Sequence, residues 1–260
     1  MTRPLVMGVL NVTPDSFSDG GRWADREAAV EHGRVLIEEG ADVIDVGGES
    51  TRPGAEPVDE VEELRRVVPV VEALAPLVRV SVDTSKPAVA RAACAAGATL
   101  LNDVSGSLHE VAAELGVGWV AMHMQGDPRT MQADPHYDDV VAEVRGFLAG
   151  RVEAGRDAGV DEVWVDPGIG FGKTLEHNLR LLRHLDVLVD LGVPVLVGTS
   201  RKGFLGTILG RSDGIGTSTP SDDRVEGSIA TAVWALHAGA RMIRVHDVLA
   251  CRQAVSVVAE

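Results

Sequence analysis

Lysine is almost missing from this chain. Of its 24 basic residues only Lys86, Lys173 and Lys202 are lysines, and all the others are arginines. Acidic residues number 39, giving a formal net charge of −15. So negative a surface repels a nucleic-acid backbone or an anionic bilayer at long range, so partners of those kinds are not expected. Cysteine is scarce too. Cys94 and Cys251 have no metal-ligand spacing and make no disulfide framework, so both read as packing residues. No apolar run reaches the roughly 18 residues that a membrane span needs. The apolar stretch within MTRPLVMGVLNVTPD is too short for a signal peptide, and a cytoplasmic enzyme is the expectation. With 45% hydrophobic and 24% charged residues, the chain is neither disordered nor collagenous.

What is present is a rhythm. Short β-branched apolar runs at 5–10, 42–46, 78–82, 99–104, 118–123, 162–166, 194–199 and 241–246 read as strands. They are nearly continuous in Val, Leu and Ile, which suits strands covered on both faces, as in a parallel sheet. Amphipathic stretches lie between them, at 25–39, 59–75, 86–96, 109–115, 138–157, 175–190, 202–209 with 222–238, and 248–258. Asp25, Thr84 or Ser85, and Thr174 stand at helix starts, and Gly40, Gly97 and Gly192 at helix ends. Eight strand–helix units in 260 residues predict an α/β chain folded as a (β/α)8 TIM barrel, one domain over 1–260. The rival, a doubly wound sheet, needs an edge strand and a switch point that nothing here marks.

Polar, glycine-rich segments follow the strands: NVTPDSFSDGGR, GGESTRPGAEPV, DTSKP, NDVSG, HMQGDPRTMQ, DPGIGFGKT, TSRKG and HDV. In a barrel they emerge on one face, where activity is expected. The segment 211–224 breaks the rhythm and reads as a mobile surface excursion.

Two familiar motifs fail. A Walker loop ending at GFGKT would need glycine where Pro167 stands, and a dinucleotide fingerprint would need glycine at Lys173. Lys173 and His177 then read as solvated helix-start residues. His32, His177, His184 and His237 fall on helices, whereas His123 and His246 end strands. Strand ends and the positions just after them collect Asn11, Asp45, Asp83, Asn102, His123, Asp166, Ser200, Lys202, Arg244 and His246. A packed barrel core does not accept such groups without partners. Together they predict a polar pocket on the axis. Carboxylates read an N–H beside an NH2, amides read mixed edges, and Lys donates to a carbonyl or ring nitrogen. That set suits a flat heterocycle such as a pterin or purine. Asp45 reads as a structural carboxylate, and Met122 and Phe171 would pack a barrel mouth in any case.

The motifs MGVLNVTPDSFSDGG, DVGGESTRPGAEPV, NDVSG, MHMQGDPRTMQ, DPGIGFGKT, GTSRKGFLG and RVHDV run in order along essentially the whole chain. They resemble the dihydropteroate synthase family. The resemblance implies a barrel that is usually a homodimer. It also implies a reaction joining 6-hydroxymethyl-7,8-dihydropterin pyrophosphate to p-aminobenzoate, with pyrophosphate released, in folate biosynthesis; sulfonamides compete for the p-aminobenzoate site in this family. Carried onto matching positions, the pterin pocket comprises Asp83, Asn102, Met122, Asp166, Phe171, Gly198 and Lys202. Pyrophosphate falls to Asn11, Arg244 and His246, with Mg2+ bridging and Asn11 as the protein's metal ligand. Phe17, Asp19, Thr51, Arg52 and Pro53 fold over the reacting carbon and, with Gly203, build the p-aminobenzoate site. Some relatives carry Ser where Gly203 stands.

The implied catalytic residues are Asp19, Asp83, Lys202 and Arg244. An electron-rich dihydropterin ionises readily at its pyrophosphate, so the enzyme has to stabilise an anionic leaving group and a cationic ring. The aniline nitrogen is already neutral, so no general base is assigned. A pterin-binding methyltransferase domain would share the barrel but lack SRKGFLG and TPDSFSDGGR. A non-catalytic homologue would not need the whole pterin and anion set.

Overall fold

The computed structural model describes residues 3–13, 21–50 and 54–258, with backbone only for 21–25. Among the described residues the eight expected strands form. They are β1 (Leu5–Asn11), β2 (Val43–Gly47), β3 (Arg79–Asp83), β4 (Leu100–Asp103), β5 (Gly118–Met122), β6 (Val163–Asp166), β7 (Leu196–Val197) and β8 (Met242–Val245). All ladders are parallel, in the order β6-β5-β4-β3-β2-β1-β8-β7. The two ends of this row meet through a bridge between Val165 and Val195 and through the Val165 N–H donating to the Pro194 carbonyl at 3.1 Å. The sheet thus comes round into a TIM barrel. β7 is shorter than its apolar run at both ends: only Leu196 and Val197 pair with β8, and Pro194 has no N–H to give the ladder at the start of the run.

Ten helices are described: α1 (Gly21–Glu38), α2 (Glu60–Leu74), α3 (Pro87–Ala95), α4 (His109–Leu115), α5 (Val140–Ala158), α6 (Leu175–Arg183), α7 (Asp186–Val189), α8 (Gly203–Ser212), α9 (Val225–His237) and α10 (Val248–Val258). Three starts differ from the sequence reading or refine it. α1 begins at Gly21, so Asp25 lies inside it and is not its cap. Lys86 precedes α3 without a side-chain cap, and the Lys86 N–H donates to Thr84 Oγ1 at 3.2 Å. Thr174 does cap α6, in a box completed by His177. The stretch 175–190 is two helices, because the His184 backbone (φ −115, ψ 36) leaves the helical region.

The core has two compartments. Met7, Val43, Leu100, Val120, Trp164, Leu196 and Met242 form a buried cluster of their own, one from each strand except β3. A larger cluster joins the outward-facing strand residues to the helices. Side chains alternate along a strand, so the residues two positions further along from the inner cluster also face the axis. Those are Val9, Asp45, Asn102, Met122, Asp166, Gly198 and Arg244, and two further on from Val9 and Arg244 are Asn11 and His246. The apolar plug therefore forms the floor of a cup whose wall is polar at Asp45, Asn102, Asp166 and Arg244 and apolar at Val9 and Met122.

The excursion after α8 stays exposed as far as Ser218 and is then tied down. Thr219 is buried, its N–H donates to the Gly206 carbonyl at 3.0 Å, and Arg224 Nε donates to the Thr219 carbonyl at 2.8 Å.

Candidate active site at the carboxyl rim

Register delivers the rim residues side by side. Asn11 pairs with Gly47, Gly47 with Asp83, Asp83 with Asn102, and Met122 with Asp166. Gly47 matters because it carries no side chain. A β-carbon there would sit 3.5 Å from the Asp83 β-carbon and 3.7 Å from Asn11 Oδ1, so its absence leaves a hollow between the two. Gly198 does the same beside Arg244, whose β-carbon would lie 3.6 Å away.

The acidic side of the cup is one connected network. Arg244 Nε donates to Asp45 Oδ2 at 2.6 Å, and Nη2 donates to Asp83 Oδ2 at 2.8 Å. Asn102 Nδ2 donates to the same Asp45 oxygen at 2.9 Å. Asp45 is fully buried and so orients its neighbours from beneath. Burial pushes the Asp83 carboxyl up to about 7; Arg244 pulls it down, and Asp45 pushes it further up. Burial works against the Arg244 charge, but Asp45 and Asp83 outweigh it and raise its pKa.

The opposite side is set by the loop after β6. Asp166 is buried and its Oδ1 accepts the Gly168 N–H at 2.7 Å. Burial raises its pKa, while Lys202 and that N–H oppose the rise. Lys202 donates to the Ile169 carbonyl, and its Nζ stands 4.5 Å from the centre of the Phe171 ring. Burial lowers the Lys202 pKa to about 8, with Asp166 resisting. Lys202 directly follows Arg201, whose φ of 59 is left-handed without glycine. That backbone is held from both sides. The Arg201 N–H donates to Ser228 Oγ at 3.0 Å, and its guanidinium pairs with Asp247 at 2.5 Å. Next to it, Ser200 Oγ accepts the His246 N–H at 3.1 Å and lies 3.1 Å from His246 Nδ1.

Asp83, Asn102, Met122, Asp166, Phe171, Gly198, Lys202, Asn11, Arg244 and His246 thus gather at one end of the barrel. Gly203 opens α8 with nothing within 4 Å of where a side chain would begin. Phe17, Asp19, Thr51, Arg52 and Pro53 lie outside the described residues. Lys173 corrects the sequence reading. It is 2% exposed, not solvated, because the loop after β5 folds over it and brings His123 Nδ1 to 2.9 Å from its Nζ. Glu63 was also missed. It is buried and accepts from Thr84 at 2.7 Å and from Lys86. All three lysines of the chain therefore stand at the rim or directly behind it. Their rarity was the one signal in the sequence that could have singled out Lys86 and Lys173.

A family model described as pterin binding enzyme matches residues 7–246. The dihydropteroate synthase of Escherichia coli K12 is 48% identical over 267 residues, covering 99% of this chain and 92% of that protein. Among solved structures, the Yersinia pestis dihydropteroate synthase in a sulfonamide drug complex aligns with a TM-score of 0.90 at 47% identity, over 99% of this chain and 94% of that one. The Xanthomonas albilineans enzyme with 4-aminobenzoic acid also aligns at 0.90, with 50% identity over 98% of this chain and 92% of that one.

Proposed function

This chain belongs to the dihydropteroate synthase family, and from that premise we infer that it condenses 6-hydroxymethyl-7,8-dihydropterin pyrophosphate with p-aminobenzoate, giving 7,8-dihydropteroate and pyrophosphate for folate biosynthesis. The observation that carries this reading is the polar cup. Strands β1 to β8 set Asn11, Asp83, Asn102, Asp166, Arg244 and His246 around one axis, and Lys202 follows β7.

The pterin lies between the two sides. Asp166 accepts from the 2-amino group and N3–H, Lys202 donates to the acceptor edge, and Asp83 and Asn102 close the remaining edge. Met122, Phe171 and Gly198 flank the ring. Ionised Asp83 and Asp166, with Asp19, stabilise the positive charge that develops as the C–O bond to pyrophosphate breaks.

Arg244 spends two of its five N–H donors on Asp45 and Asp83, which leaves three for the leaving group. Asn11 and His246 complete the anion site. Two carboxylates beside one guanidinium leave little net positive charge, so a diphosphate needs a further cation. Asn11 offers one amide oxygen at the Gly47 hollow. Among the described residues no group of three His, Cys, Asp or Glu forms a dedicated cation cage. One oxygen suits Mg2+, which keeps several waters and takes other ligands from substrate phosphates. When bound, Mg2+ neutralises charge on the departing pyrophosphate.

Phe17, Thr51, Arg52, Pro53 and Gly203 form the p-aminobenzoate site, where a sulfonamide competes. The amine attacks as a neutral nucleophile as the C–O bond to pyrophosphate breaks, and the strongly acidic ammonium that forms loses its proton to water or to the departing pyrophosphate, so no residue is assigned as general base. The chain acts as one pterin-binding domain over 1–260. Exposed Trp234 on α9 and Ile208 on the adjacent α8 favour a homodimer. Free thiols at Cys94 and Cys251 agree with a cytoplasmic enzyme. Among the described residues no helix is long and apolar enough to cross a membrane.

The test mixes protein, dihydropterin pyrophosphate, p-aminobenzoate and Mg2+ and follows both pyrophosphate and 7,8-dihydropteroate. Stoichiometric release of both is expected, and a protein that forms no dihydropteroate overturns the reading. Asp166→Asn tests the pocket. The lost bonds to a buried charged group weaken pterin binding by roughly 1.5–3 kcal/mol, whereas Asp19→Asn lowers turnover with binding intact.

A further inference from the structure

The steps above leave one buried amine without a part. Lys173 follows Phe171 by two residues and is withdrawn from solvent. Its Nζ lies 2.9 Å from His123 Nδ1, 2.9 Å from the Phe171 carbonyl and 3.3 Å from the His123 carbonyl. An ammonium has three protons, and here three acceptors converge on it. His123 belongs to the loop after β5 and Phe171 to the loop after β6, so one side chain spans two loops that are far apart in sequence.

Those loops are already as close as backbone allows. A β-carbon on Gly168 would fall 1.8 Å from the His123 carbonyl oxygen, and one on Gly172 would fall 2.4 Å from the Gln125 carbonyl oxygen. Both glycines have positive φ, 63 and 57, a conformation open to glycine at little cost. Further bonds brace the β6 loop from behind. Tyr137 Oη donates to the Gly172 carbonyl at 2.8 Å, and the Gly170 N–H donates to Asn178 Oδ1 at 2.7 Å. The Phe171 ring is then left facing Lys202.

We propose that Lys173 is a positioning residue of the pterin pocket: by tying the loops after β5 and β6 together, it sets the Phe171 ring against Lys202. The inference rests on the pterin-site reading above. It accounts for a buried amine in a place where burial is unfavourable unless every donor is matched; burial lowers its pKa to about 7, with Asp166 resisting. It also accounts for lysine in a chain otherwise built on arginine, since a planar fork does not suit three acceptors converging on one point. Burial first and Lys173 second drive the His123 pKa down to about 3, so the ring is neutral, and in its Nε2–H tautomer Nδ1 is the acceptor that faces Lys173.

The test is steady-state kinetics on the purified full chain, varying each substrate in turn. Lys173→Met keeps the length of the side chain and removes every donor. We expect KM for dihydropterin pyrophosphate to rise roughly tenfold, with kcat and KM for p-aminobenzoate changing by less than about twofold. Lys173→Gln, which keeps two donor protons, recovers part of the loss. In a Phe171→Leu background, adding Lys173→Met raises the pterin KM by less than about twofold, because the lysine acts through that ring. An unchanged pterin KM overturns the proposal, and so does an equal loss for both substrates that tracks thermal stability. If Lys173→Met does not fold, Lys173→Gln decides on the same split. A wild-type chain that makes no dihydropteroate overturns the functional reading and this inference with it; a working wild type with an unaffected variant overturns the inference alone.

Discussion

Asp45 on β2 and Arg244 on β8 meet at 2.6 Å inside the barrel, 199 positions apart in the chain. The contact fixes the orientation of the guanidinium, since Nε is committed to Asp45 and Nη2 to Asp83. It also couples two carboxylates through one cation. What Asp83 can do therefore depends on Asp45, which lies below it and is fully buried.

The pH profile of kcat/KM for the pterin substrate reports the free enzyme. Asp83 ionises near 7 and Lys202 holds its proton up to about 8. Below the first value the carboxyl is neutral and no longer supports positive charge on the ring. Above the second, the amine no longer donates as a cation. A narrow bell between about 7 and 8 is expected, measured by pyrophosphate release across buffers of constant ionic strength.

Replacing Asp45 with Asn keeps an oxygen for Arg244 and Asn102 but removes a negative charge next to Asp83. That charge is one of the causes holding the Asp83 pKa up, so the acid limb of the bell moves to lower pH. Arg244 is left with a single charged hydrogen-bond partner, Asp83, and unfolding in urea should be easier by roughly 1–3 kcal/mol. An acid limb that stays in place would contradict the coupling.

Gly203→Ser adds a hydroxyl at the start of α8, where a new side chain meets nothing within 4 Å. A further donor beside the helix N-terminus favours a carboxylate. KM for p-aminobenzoate is expected to fall roughly fivefold, the equivalent of about 1 kcal/mol, while the pterin KM stays constant.

Thr174→Ala removes the capping box of α6, in which Thr174 Oγ1 accepts the His177 N–H at 3.2 Å and His177 Nδ1 accepts the Thr174 N–H at 3.3 Å. A lost cap costs about 1 kcal/mol, which lowers Tm by roughly 2–4 °C in a chain of this size. Burial, then Arg180, lowers the His177 pKa, keeping Nδ1 available as an acceptor at neutral pH. Calorimetry on the two proteins at pH 7 checks the shift.

The barrel was legible because strand and helix signals are local. Ranges such as 109–115 coincide with the helix that forms, α4 (His109–Leu115), and strand-end polar residues alternate onto the inner wall as period two requires. The failures are non-local. Lys173 sits between Gly172 and Thr174 and looks like an exposed helix start; only the loop bearing His123 buries it. Arg201 carries no mark of its left-handed backbone, because Ser228 and Asp247, the groups that hold it there, are 27 and 46 residues away. β7 fell short at both ends of its run, at one of them beside Pro194, which has no donor for the ladder.

That seam has a further consequence. Where β6 meets β7 the cylinder is fastened by little more than one bridge, with Asp166 on one bank and Lys202 just beyond the other. A bicyclic base held by both would lie across the gap like a buckle on a hoop. Occupancy and closure then become a single equilibrium, and the amides along 163–166 and 194–199 should exchange with deuterium fastest in the empty enzyme and slow most sharply on filling.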